Sequence, residues 1–549
     1  MPRVKQPPSA ATSQPIGSPP FAPPPYNLWV EPWITLEDFD GRMEQHSIES
    51  VLLNAHAFKS IYDSSPLVVV GIQRLLIAIL QDAINPRNED DLRELWESGR
   101  LPLDRILRFG ESFADGFDLF SPDRPFLQSG DLPLVAERDD KPKSAAALFP
   151  EMPAGTEVTH YLHAVEDDYV FSPAAAAAGL CTIPAFASSG GAGIKPSING
   201  VPPIYVLPGG SSLFESLAAS LLIPSFRPGS ASHTRDDAWW RRDALVMRSK
   251  EVDEVGYLNS LTFPARRVRL HPVKVDTACS RTGRHTEWGV RTMIFEMGES
   301  RPKDAPWWQD PFVAYRLPTA KKSPRPPKGS TAKKKDLPIA IRPQPGKAGW
   351  REFGGLFVHQ NTEDRRTARP LFLDQMAALD LAGDRASYSF QCVGVLTDGK
   401  AKTFEWMEFG FDVPPAVLND PSAALLVDNA LVFASDCGGI IATVFAKHFG
   451  GTSRNAERYL TLKTRMVDSF WAALAGDFRH FVLMMGDRQA QPPAFEEWTN
   501  TVVNTARTVF ARAAESIGDD AASLRLRSEG EQHCAASLYT RMKKEFNHE

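Results

Sequence analysis

Residues 453–485, SRNAERYLTLKTRMVDSFWAALAGDFRHFVLMM, decide the fold of the C-terminal part of the chain. Apolar side chains recur in this stretch at spacings of three and four, which places them on one face of a helix. The members of this stripe are Tyr459, Leu462, Met466, Phe470, Leu474, Phe478 and Phe481. A second stripe comprises Phe495, Trp498, Val502, Ala506, Val509, Ala513 and Ile517. We interpret both stripes as core faces of long helices and not as ligand-binding sets.

Glycine and proline residues divide the sequence after residue 418 into four predicted helices. The breakers are Gly450-Gly451, Gln491-Pro492-Pro493 and Gly518. The helices are expected at about 421–448, 453–485, 493–517 and 520–546. Short loops make consecutive helices antiparallel neighbours, so residues 418–549 are predicted to form a C-terminal four-helix bundle.

The sequence before residue 418 mixes helical and strand patterns, so the predicted fold class of the chain is α+β. A large mixed α/β N-terminal domain is expected over residues 26–417. Ser172 and Pro173 mark the start of an alanine-rich helix within it, because serine caps helices and proline fits their first turn. Residues 1–25 are rich in Pro, Ser and Ala, which predicts a disordered tail. Residues 320–337 contain the run KKSPRPPKGSTAKKK, which predicts a flexible basic insert.

Composition indicates an ordinary soluble globular protein. The 549 residues are 43% hydrophobic and 23% charged, with a net charge of -6. That charge argues against a wholly basic nucleic-acid coat protein but allows local basic patches.

The longest apolar run, PLVVVGIQRLLIAIL at 66–80, is too short to span a bilayer and predicts a buried helix, so no membrane partner is expected. Five scattered cysteines and the lack of an apolar leader fit a reducing cytoplasm.

A glycine-rich run at 188–203, SSGGAGIKPSINGVPP, approaches a nucleotide-binding motif but departs from it. In a P-loop, glycine and lysine are adjacent and a Ser or Thr follows, whereas here Ile194 precedes Lys195 and Pro196 removes an N–H group. No strand pattern leads into Gly190 and no helix pattern follows Gly193, which also excludes a dinucleotide fingerprint. The run is either a plain surface loop or a bare backbone suited to close approach to a nucleic-acid groove.

A second loop lies at residues 393–406, VGVLTDGKAKTFEW. Asp398-Gly399 between two strand-like runs predicts a β-hairpin, because glycine tolerates the positive φ of a tight turn. Lys400 is then placed at the hairpin tip with Lys402 behind it. This tip is either a solvated turn or a cationic probe for a phosphate-lined groove.

The sequence contains few features of an enzyme. GxSxG, HExxH and Walker A motifs are absent from it. The best metal candidates are His271, Cys279 and His285, which lack the closely spaced ligand pairs of a structural zinc site. Glu166-Asp167-Asp168 is a carboxylate cluster that is more typical of a solvated acidic turn than of a Mg²⁺ site. We therefore expect no cofactor, no metal and no catalytic residues.

Taken in order, these segments resemble the CasA family, the large subunit of the type I-E CRISPR Cascade surveillance complex. The resemblance is carried by YNLWVEPWI (26–34), SPLVVVGIQRLLIAIL (65–80), RPFLQ (124–128), the glycine run, NGVPPIYVLPGGSSLFESL (199–217) and SLTFPARR (260–267). The hairpin and the terminal helices complete the order. Several modest motifs in sequence, and not one decisive signature, make up the match.

The resemblance implies a non-enzymatic subunit that recognises a protospacer-adjacent motif (PAM) on double-stranded DNA from the minor groove. Its partners would be the other Cascade subunits, the 5′ end of the guide RNA, and a helicase-nuclease that it recruits. Implied DNA contacts are Gly190, Gly191, Ala192, Gly193, Lys195 and Asn199 from the glycine run, and Gly399, Lys400 and Lys402 from a hairpin wedge. Arg316, Lys321 and Lys322 are candidates for a further basic DNA contact. Tyr161, Leu162 and His163 correspond to the segment that contacts guide RNA and neighbouring subunits.

The chain departs from the family pattern at three places. Lys400 stands where the best-known relatives carry glutamine, and lysine lacks the mixed donor and acceptor pattern of an amide. The paired cysteines that some members carry after the Arg266-Arg267 strand are missing. The basic insert adds positive charge of its own.

Three hypotheses follow from the sequence. The first is the DNA-recognition subunit, which needs no catalytic group because RNA–DNA pairing reads the target. The second is a metal-dependent nuclease or hydrolase that uses His271, Cys279, His285 and the acids at 166–168. The third is a purely architectural subunit without PAM preference.

Overall fold

The computed structural model describes residues 23–134, 142–152, 169–190, 193–228, 236–302, 304–319, 337–361, 365–383, 385–398, 403–450 and 456–546. The helices in these ranges are α1 (Ile48–Leu53), α2 (Pro66–Ala83), α3 (Glu89–Ser98), α4 (Leu103–Phe113), α5 (Pro173–Phe186), α6 (Leu213–Ala219), α7 (Tyr257–Leu261), α8 (Phe353–Phe357), α9 (Leu371–Leu379), α10 (Pro415–Asn419), α11 (Pro421–Phe449), α12 (Ala456–Ala473), α13 (Ala475–Met484), α14 (Gln491–Glu515) and α15 (Ala521–Phe546). The strands are β1 (Ile34–Asp38), β2 (Met43–His46), β3 (Phe58–Ile61), β4 (Lys143–Ser144), β5 (Tyr205–Pro208), β6 (Arg266–Ala278), β7 (His285–Met297), β8 (Tyr315–Arg316), β9 (Ile339–Ala340), β10 (Thr367–Ala368), β11 (Tyr388–Thr397) and β12 (Thr403–Val413).

The strands of the described residues form small antiparallel sheets. Their orders are β2-β1-β3, β10-β8-β9, β12-β11-β5 and β4-β7-β6. Helices and sheets alternate up to α10, and helices alone follow, which confirms the α+β class with a helical C-terminal region.

Helix α2 lies at the centre of the mixed region before α11. Its sequence is mostly apolar, with Gln73 and Arg74 as exceptions, and every residue from Pro66 to Gln81 is buried. Gly71 allows close contact with α5, because a Cβ there would lie 2.5 Å from the carbonyl oxygen of Cys181. Helices α2 and α11 have the length and composition of membrane spans, and 89% and 44% of their apolar windows are buried inside the fold. The predicted buried helix at 66–80 is therefore confirmed.

Helix α5 forms as its sequence predicts. Ser172 Oγ accepts a hydrogen bond from Ala175 N, and Pro173 occupies the first turn. The helix is buried along almost its whole length and carries the chain directly into the glycine run. Its position therefore decides where that run begins.

Helices α11 to α15 pack against one another, with α11 and α14 each contacting α12 and α15. The two predicted stripes supply the core: Phe470, Phe478 and Trp498 are buried, and Trp498 Nε1 donates to Ala430 O at 3.0 Å. The helix predicted over 453–485 is wrong in one respect, because it is interrupted at Leu474 into α12 and α13. Gly476 follows this break, and glycine has a low helix propensity.

Candidate nucleic-acid interface

The glycine run is held at its base by backbone hydrogen bonds. Ser197 N donates to Ala187 O at 2.8 Å, and Ser197 Oγ donates to Pro184 O at 2.7 Å, so the returning arm is bound to the end of α5. Gly190 N donates to Ile194 O at 3.3 Å and closes a tight turn above. The run leaves the fold and re-enters it within a few residues.

Arg266, the first residue of β6, joins the two arms of this turn. Its side chain is 2% exposed, and its guanidinium donates to Ser188 O at 2.5 Å and to Lys195 O at 2.9 Å. It also donates to Ala265 O at 2.7 Å. One rigid planar group therefore fixes both arms of the turn, since arginine presents its donors in a fixed fork.

The outer part of the turn has an exposed backbone. Gly193 is exposed with φ +86, and a Cβ built there would meet no atom within 4 Å. That φ lies in the left-handed region that glycine adopts without strain. Gly191 and Ala192 lie outside the described residues. The described turn combines a fixed base with an outer glycine that has open space around it.

Lys195 lies in the returning arm of the turn, and its side chain is partly exposed to solvent. Its backbone N donates to Met297 Sδ at 3.1 Å, while its Nζ forms an ion pair with Glu251. Both side chains of the pair are about half exposed, at 47% and 49%. Exposed pairs of this kind contribute little to stability. The Lys195 ammonium can therefore exchange its partner for another anion at low cost.

Asn199 has an internal role. Its Nδ2 donates to Asp310 Oδ2 at 2.9 Å and to Tyr205 OH at 3.1 Å, and its Oδ1 accepts from Tyr315 OH at 3.2 Å. Burial raises the pKa of both tyrosine hydroxyls, so they remain neutral donors. The amide of Asn199 is thus committed to the core and holds the end of the glycine run.

A buried ion pair lies beneath this amide. Arg74 of α2 binds Asp310 through two hydrogen bonds of 3.1 and 3.2 Å, and both side chains are excluded from solvent. The Arg74 guanidinium also lies 4.9 Å from the centre of the Tyr205 ring. The position of the glycine run therefore depends on charged groups of the central helix.

The predicted hairpin is formed by β11 and β12. Their register runs from Tyr388↔Val413 to Thr397↔Thr403, with a shift between Leu396 and Thr397. The tip residues Gly399, Lys400 and Lys402 lie outside the described residues. Strand formation on both sides of Asp398-Gly399 confirms the hairpin.

The glycine run leads into one end of a sheet, and strand β11 runs toward the hairpin turn at the same end. Strand β5 pairs antiparallel with β11, and its first residue, Tyr205, is opposite Val393. The chain leaves the glycine run and enters β5 at this end, and β11 continues from Val393 to Thr397 toward the hairpin tip. Those four residues extend the hairpin by roughly 13 Å. The end of the glycine run and the described ends of the hairpin strands therefore lie at one end of this sheet.

Of the further basic candidates, the structure describes Arg316 of β8. Its Nη2 donates to Glu352 Oε2 at 2.7 Å, and the same buried carboxylate pairs with Lys347. The Arg316 side chain is 43% exposed and is already neutralised by that partner. Lys321 and Lys322, and the proposed RNA-contacting segment Tyr161–His163, lie outside the described residues.

The candidate metal ligands do not converge. His271 is buried within β6 and its Nδ1 lies 3.3 Å from Thr292 Oγ1, whereas Cys279 follows the far end of that strand. Eight residues of extended chain separate them by roughly 20 Å or more. His285 is exposed and pairs with Asp276. In the part of the chain that the structure describes, no three His, Cys, Asp or Glu side chains are grouped to hold a metal ion, and the acids at 166–168 lie outside it.

Cys279 instead accepts a hydrogen bond from Ser172 N at 3.3 Å beside the cap of α5. Burial would raise the pKa of its thiol, but hydrogen bonds from Ser172 and Thr282 lower that pKa below its usual value. All five cysteines are buried and unpaired with one another. This environment gives Cys279 a structural role at the start of α5.

Arg266, which positions the glycine run, is not among the site residues predicted from the sequence. The sequence gives one indication of it, since Arg266-Arg267-Val268-Arg269 places several cations in a strand that is otherwise apolar enough to be buried. A buried arginine requires acceptors, and here the acceptors are the carbonyl groups of a distant loop. Which loop supplies them is visible only in the folded chain.

Comparison with known proteins assigns this arrangement to a family. The model of the CRISPR-associated protein Cse1 family matches residues 27–509. The chain belongs to the Cse1 (CasA) family. The match spans the glycine run, the hairpin and most of the helical region, which confirms the resemblance to the large subunit of the type I-E Cascade complex.

Individual relatives agree with this assignment. The CasA/Cse1 protein of Thermus thermophilus is 27% identical over 532 residues, which cover 92% of this chain and 96% of the relative. The crystal structure of Thermus thermophilus CasA aligns with a TM-score of 0.73 at 24% identity, over 94% of this chain and 99% of that one. Cse1 from Acidimicrobium ferrooxidans aligns with a TM-score of 0.76 at 21% identity, over 95% and 99%. At these identities the two structural alignments establish the shared fold.

Proposed function

We propose that this Cse1/CasA protein is the PAM-recognising, non-catalytic subunit of a cytoplasmic type I-E Cascade effector. In this role it reads the PAM of double-stranded DNA from the minor groove and helps to part the strands where the RNA–DNA hybrid begins. It also recruits the helicase-nuclease that cleaves the target. The observation that carries the proposal is the glycine turn, whose base is fixed by Arg266 and whose Gly193 backbone is exposed.

The minor groove is suited to such a turn. It is about 6 Å wide and presents the A N3 and T O2 acceptors, so backbone N–H groups without side chains can reach base edges there. The groove distinguishes A·T from G·C and little else, which implies tolerance of several related PAM sequences. Gly190, Gly191, Ala192 and Gly193 are the proposed contacts. Lys195 is proposed to reach a neighbouring phosphate by leaving Glu251.

The hairpin is proposed to act beside this reader. Its strands project from the sheet end at which the glycine run enters, and its tip carries Gly399, Lys400 and Lys402. A narrow element inserted next to the PAM can separate the first base pair, after which guide pairing continues the opening. Lys400 would contribute charge to this step and no base-specific amide contacts.

The remaining partners are proposed from the family. A chain of a CRISPR RNA-guided surveillance complex aligns with a TM-score of 0.69 at 17% identity, over 94% of this chain and 100% of that one. Other Cascade subunits and the 5′ end of the guide RNA are the expected neighbours, with Tyr161, Leu162 and His163 as the proposed RNA contact. A role in recognition requires no catalytic residue in this subunit.

The test uses the complex assembled from this chain, guide RNA and the other subunits. Gly191→Asp combined with Lys400→Ala is expected to weaken binding to PAM-bearing duplex at least tenfold while assembly is unchanged, because the acidic side chain blocks the turn and repels phosphate. Gly41→Asp combined with Lys544→Ala changes the net charge equally at exposed positions and serves as the control. Equal duplex affinity of the two double variants at matched salt would remove the proposal. A wild-type complex without any PAM preference would instead support the architectural hypothesis.

A further inference from the structure

Arg342 lies between the glycine run and the hairpin. Two backbone hydrogen bonds hold the segment that carries it. Ile341 N donates to Ala314 O at 2.8 Å, and Ile341 O accepts from Ile204 N at 2.9 Å. On one side, a Cβ built on Gly200 would lie 3.8 Å from Arg342 Nη2. On the other, a Cβ built on Gly394 of β11 would lie 2.6 Å from Pro343 Cγ. Arg342 therefore lies between the end of the glycine run and strand β11 of the hairpin.

Arg342 differs from the other arginines of this region in its partners. Arg74 is bound by Asp310, Arg266 by three carbonyl groups and Arg316 by Glu352. Among the described residues Arg342 has neither a hydrogen-bond acceptor nor a carboxylate partner, and its Nε is buried without a partner. The group that affects its titration besides burial is the hydroxyl of Tyr315, which is neutral.

Arg342 keeps its positive charge in spite of its partial burial. Burial lowers the pKa of its guanidinium, but arginine titrates so far above neutral pH that the group remains a cation. The side chain is half-buried, so part of the guanidinium reaches the surface. A cation held near the surface with unsatisfied donors favours an anionic ligand that supplies acceptor oxygens.

We propose that Arg342 binds a backbone phosphate of the target duplex between the glycine run and the hairpin. This inference rests on the proposed function, because it takes the two neighbouring elements as DNA contacts. The planar guanidinium can donate two parallel hydrogen bonds to the oxygens of one phosphate. Such a contact fixes the register of the duplex on the protein and carries no sequence information of its own.

Target DNA fits this position better than guide RNA does. The segment that the family resemblance assigns to guide RNA precedes α5 in the chain, whereas the glycine run follows α5. A helix of 14 residues separates its ends by about 20 Å. Gly200, which lies beside Arg342, and Gly394, which lies beside Pro343, belong instead to the elements proposed to contact DNA on either side of the PAM.

The experiment replaces Arg342 in the assembled complex. Arg342→Met keeps a long apolar stem for packing and removes the charge, Arg342→Lys keeps the charge without the fork, and Arg93→Met on the exposed face of α3 is the control. Affinity for PAM-bearing and PAM-scrambled duplex is measured between 50 and 300 mM salt, on the order of the range in which phosphate contacts dominate.

We expect Arg342→Met to weaken both duplexes by the same factor, about fivefold at 0.15 M salt, and to reduce the slope of log K against log salt by about one. Arg342→Lys should recover part of the affinity, and Arg93→Met should change neither quantity. A duplex with single neutral methylphosphonate linkages provides a second measurement. One linkage near the PAM should weaken the wild-type and Arg342→Lys complexes and leave the Arg342→Met complex unaffected.

Three outcomes would overturn the inference. These are an unchanged salt slope in Arg342→Met, a loss confined to PAM-bearing duplex, or a loss of guide RNA from the complex with duplex binding otherwise intact. If Arg342→Met does not assemble, the absence of any sensitive linkage in the Arg342→Lys complex overturns it.

If the Gly191→Asp, Lys400→Ala double variant loses PAM-dependent affinity while the Arg342 variants behave as wild type, this assignment fails and the proposed function stands. If that double variant binds as its control does, the proposed function fails first.

Discussion

The mixed region and the helical region are stabilised by different kinds of buried side chain. In helices α11 to α15 the described core is mainly aromatic and aliphatic, with Phe470, Phe478 and Trp498 among its buried members and Asp428 as a buried carboxylate. The mixed region buries more charged groups, such as Arg74, Asp310 and Arg266. Apolar packing is non-directional, whereas each hydrogen bond fixes one group against another. The region that places loops at a precise position is the one that is richer in buried charged groups.

The largest effect is expected when the central ion pair of the mixed region is broken. Asp310→Ala leaves the guanidinium of Arg74 buried without its carboxylate, and removing one partner of a buried pair costs about 3–5 kcal/mol. Urea denaturation measures this decrease in the free energy of unfolding. Asp104→Ala, which breaks the exposed pair with Arg108, should cost less than about 1 kcal/mol. Similar losses in the two variants would show that the buried pair does not hold this region.

The matching change in the helical region is Phe478→Ala. Phe478 is fully buried and its ring lies 4.8 Å from that of Trp350 and 5.6 Å from that of Trp498, so its loss should cost about 3 kcal/mol. Leu483→Ala, at a position that is 45% exposed, is the control and should be nearly neutral. PAM discrimination by the assembled complex should be unchanged in both. A change in discrimination with Phe478→Ala would contradict the separation of roles between the two regions.

Arg266→Met tests whether a buried polar group of the mixed region positions the glycine turn. The substitution removes the donors to Ser188 O and Lys195 O and should cost about 2 kcal/mol of stability. Because the turn then loses its fixed base, the ratio of affinities for PAM-bearing and PAM-scrambled duplex should fall about tenfold. Arg248→Met, at an exposed arginine nearby, should leave the ratio unchanged. A destabilised variant with full discrimination would show that Arg266 does not position the turn.

The smallest effect is expected at the junction of the two regions. Arg369 donates to Leu418 O at 3.0 Å and to Asp374 Oδ1 at 2.7 Å. Burial opposes ionisation of Asp374, but hydrogen bonds and charge from His359 and Arg369 outweigh it and hold the pKa of Asp374 below its usual value. Its contribution is therefore present above the pKa of the unfolded state and is lost as the pH falls through the lower folded-state pKa.

Asp374→Asn should remove that contribution, about 1 kcal/mol, at neutral pH. The loss of stability between pH 5 and 3 should then be shallower than in the wild type, and thermal unfolding across this pH range measures both. Asp519→Asn provides the control, because Asp519 is exposed and lies just before α15 in the helical region. Parallel pH profiles for wild type and Asp374→Asn would exclude the coupling.

The same difference between the regions decides what could be predicted from the sequence. The apolar stripes through Phe470 and Trp498 predicted the core of the helical region, because periodic burial is a local property. The cap at Ser172 was predicted for the same reason. The sequence does not show that Arg266 binds Ser188 or that Asn199 binds Asp310, since those contacts join residues 78 and 111 positions apart. Asn199, an expected DNA contact, is half-buried, and its side-chain amide is occupied by these long-range bonds.

A single substitution at Gly193 tests the proposed contact between the glycine turn and the PAM. Gly193 and Gly41 have positive φ values of +86 and +78, and a Cβ at either would meet no atom within 4 Å, so an aspartate should strain both backbones equally. In the assembled complex, Gly193→Asp is predicted to abolish the preference for PAM-bearing over PAM-scrambled duplex, while Gly41→Asp retains it. Full preference in the Gly193→Asp complex would show that the glycine turn does not read the PAM.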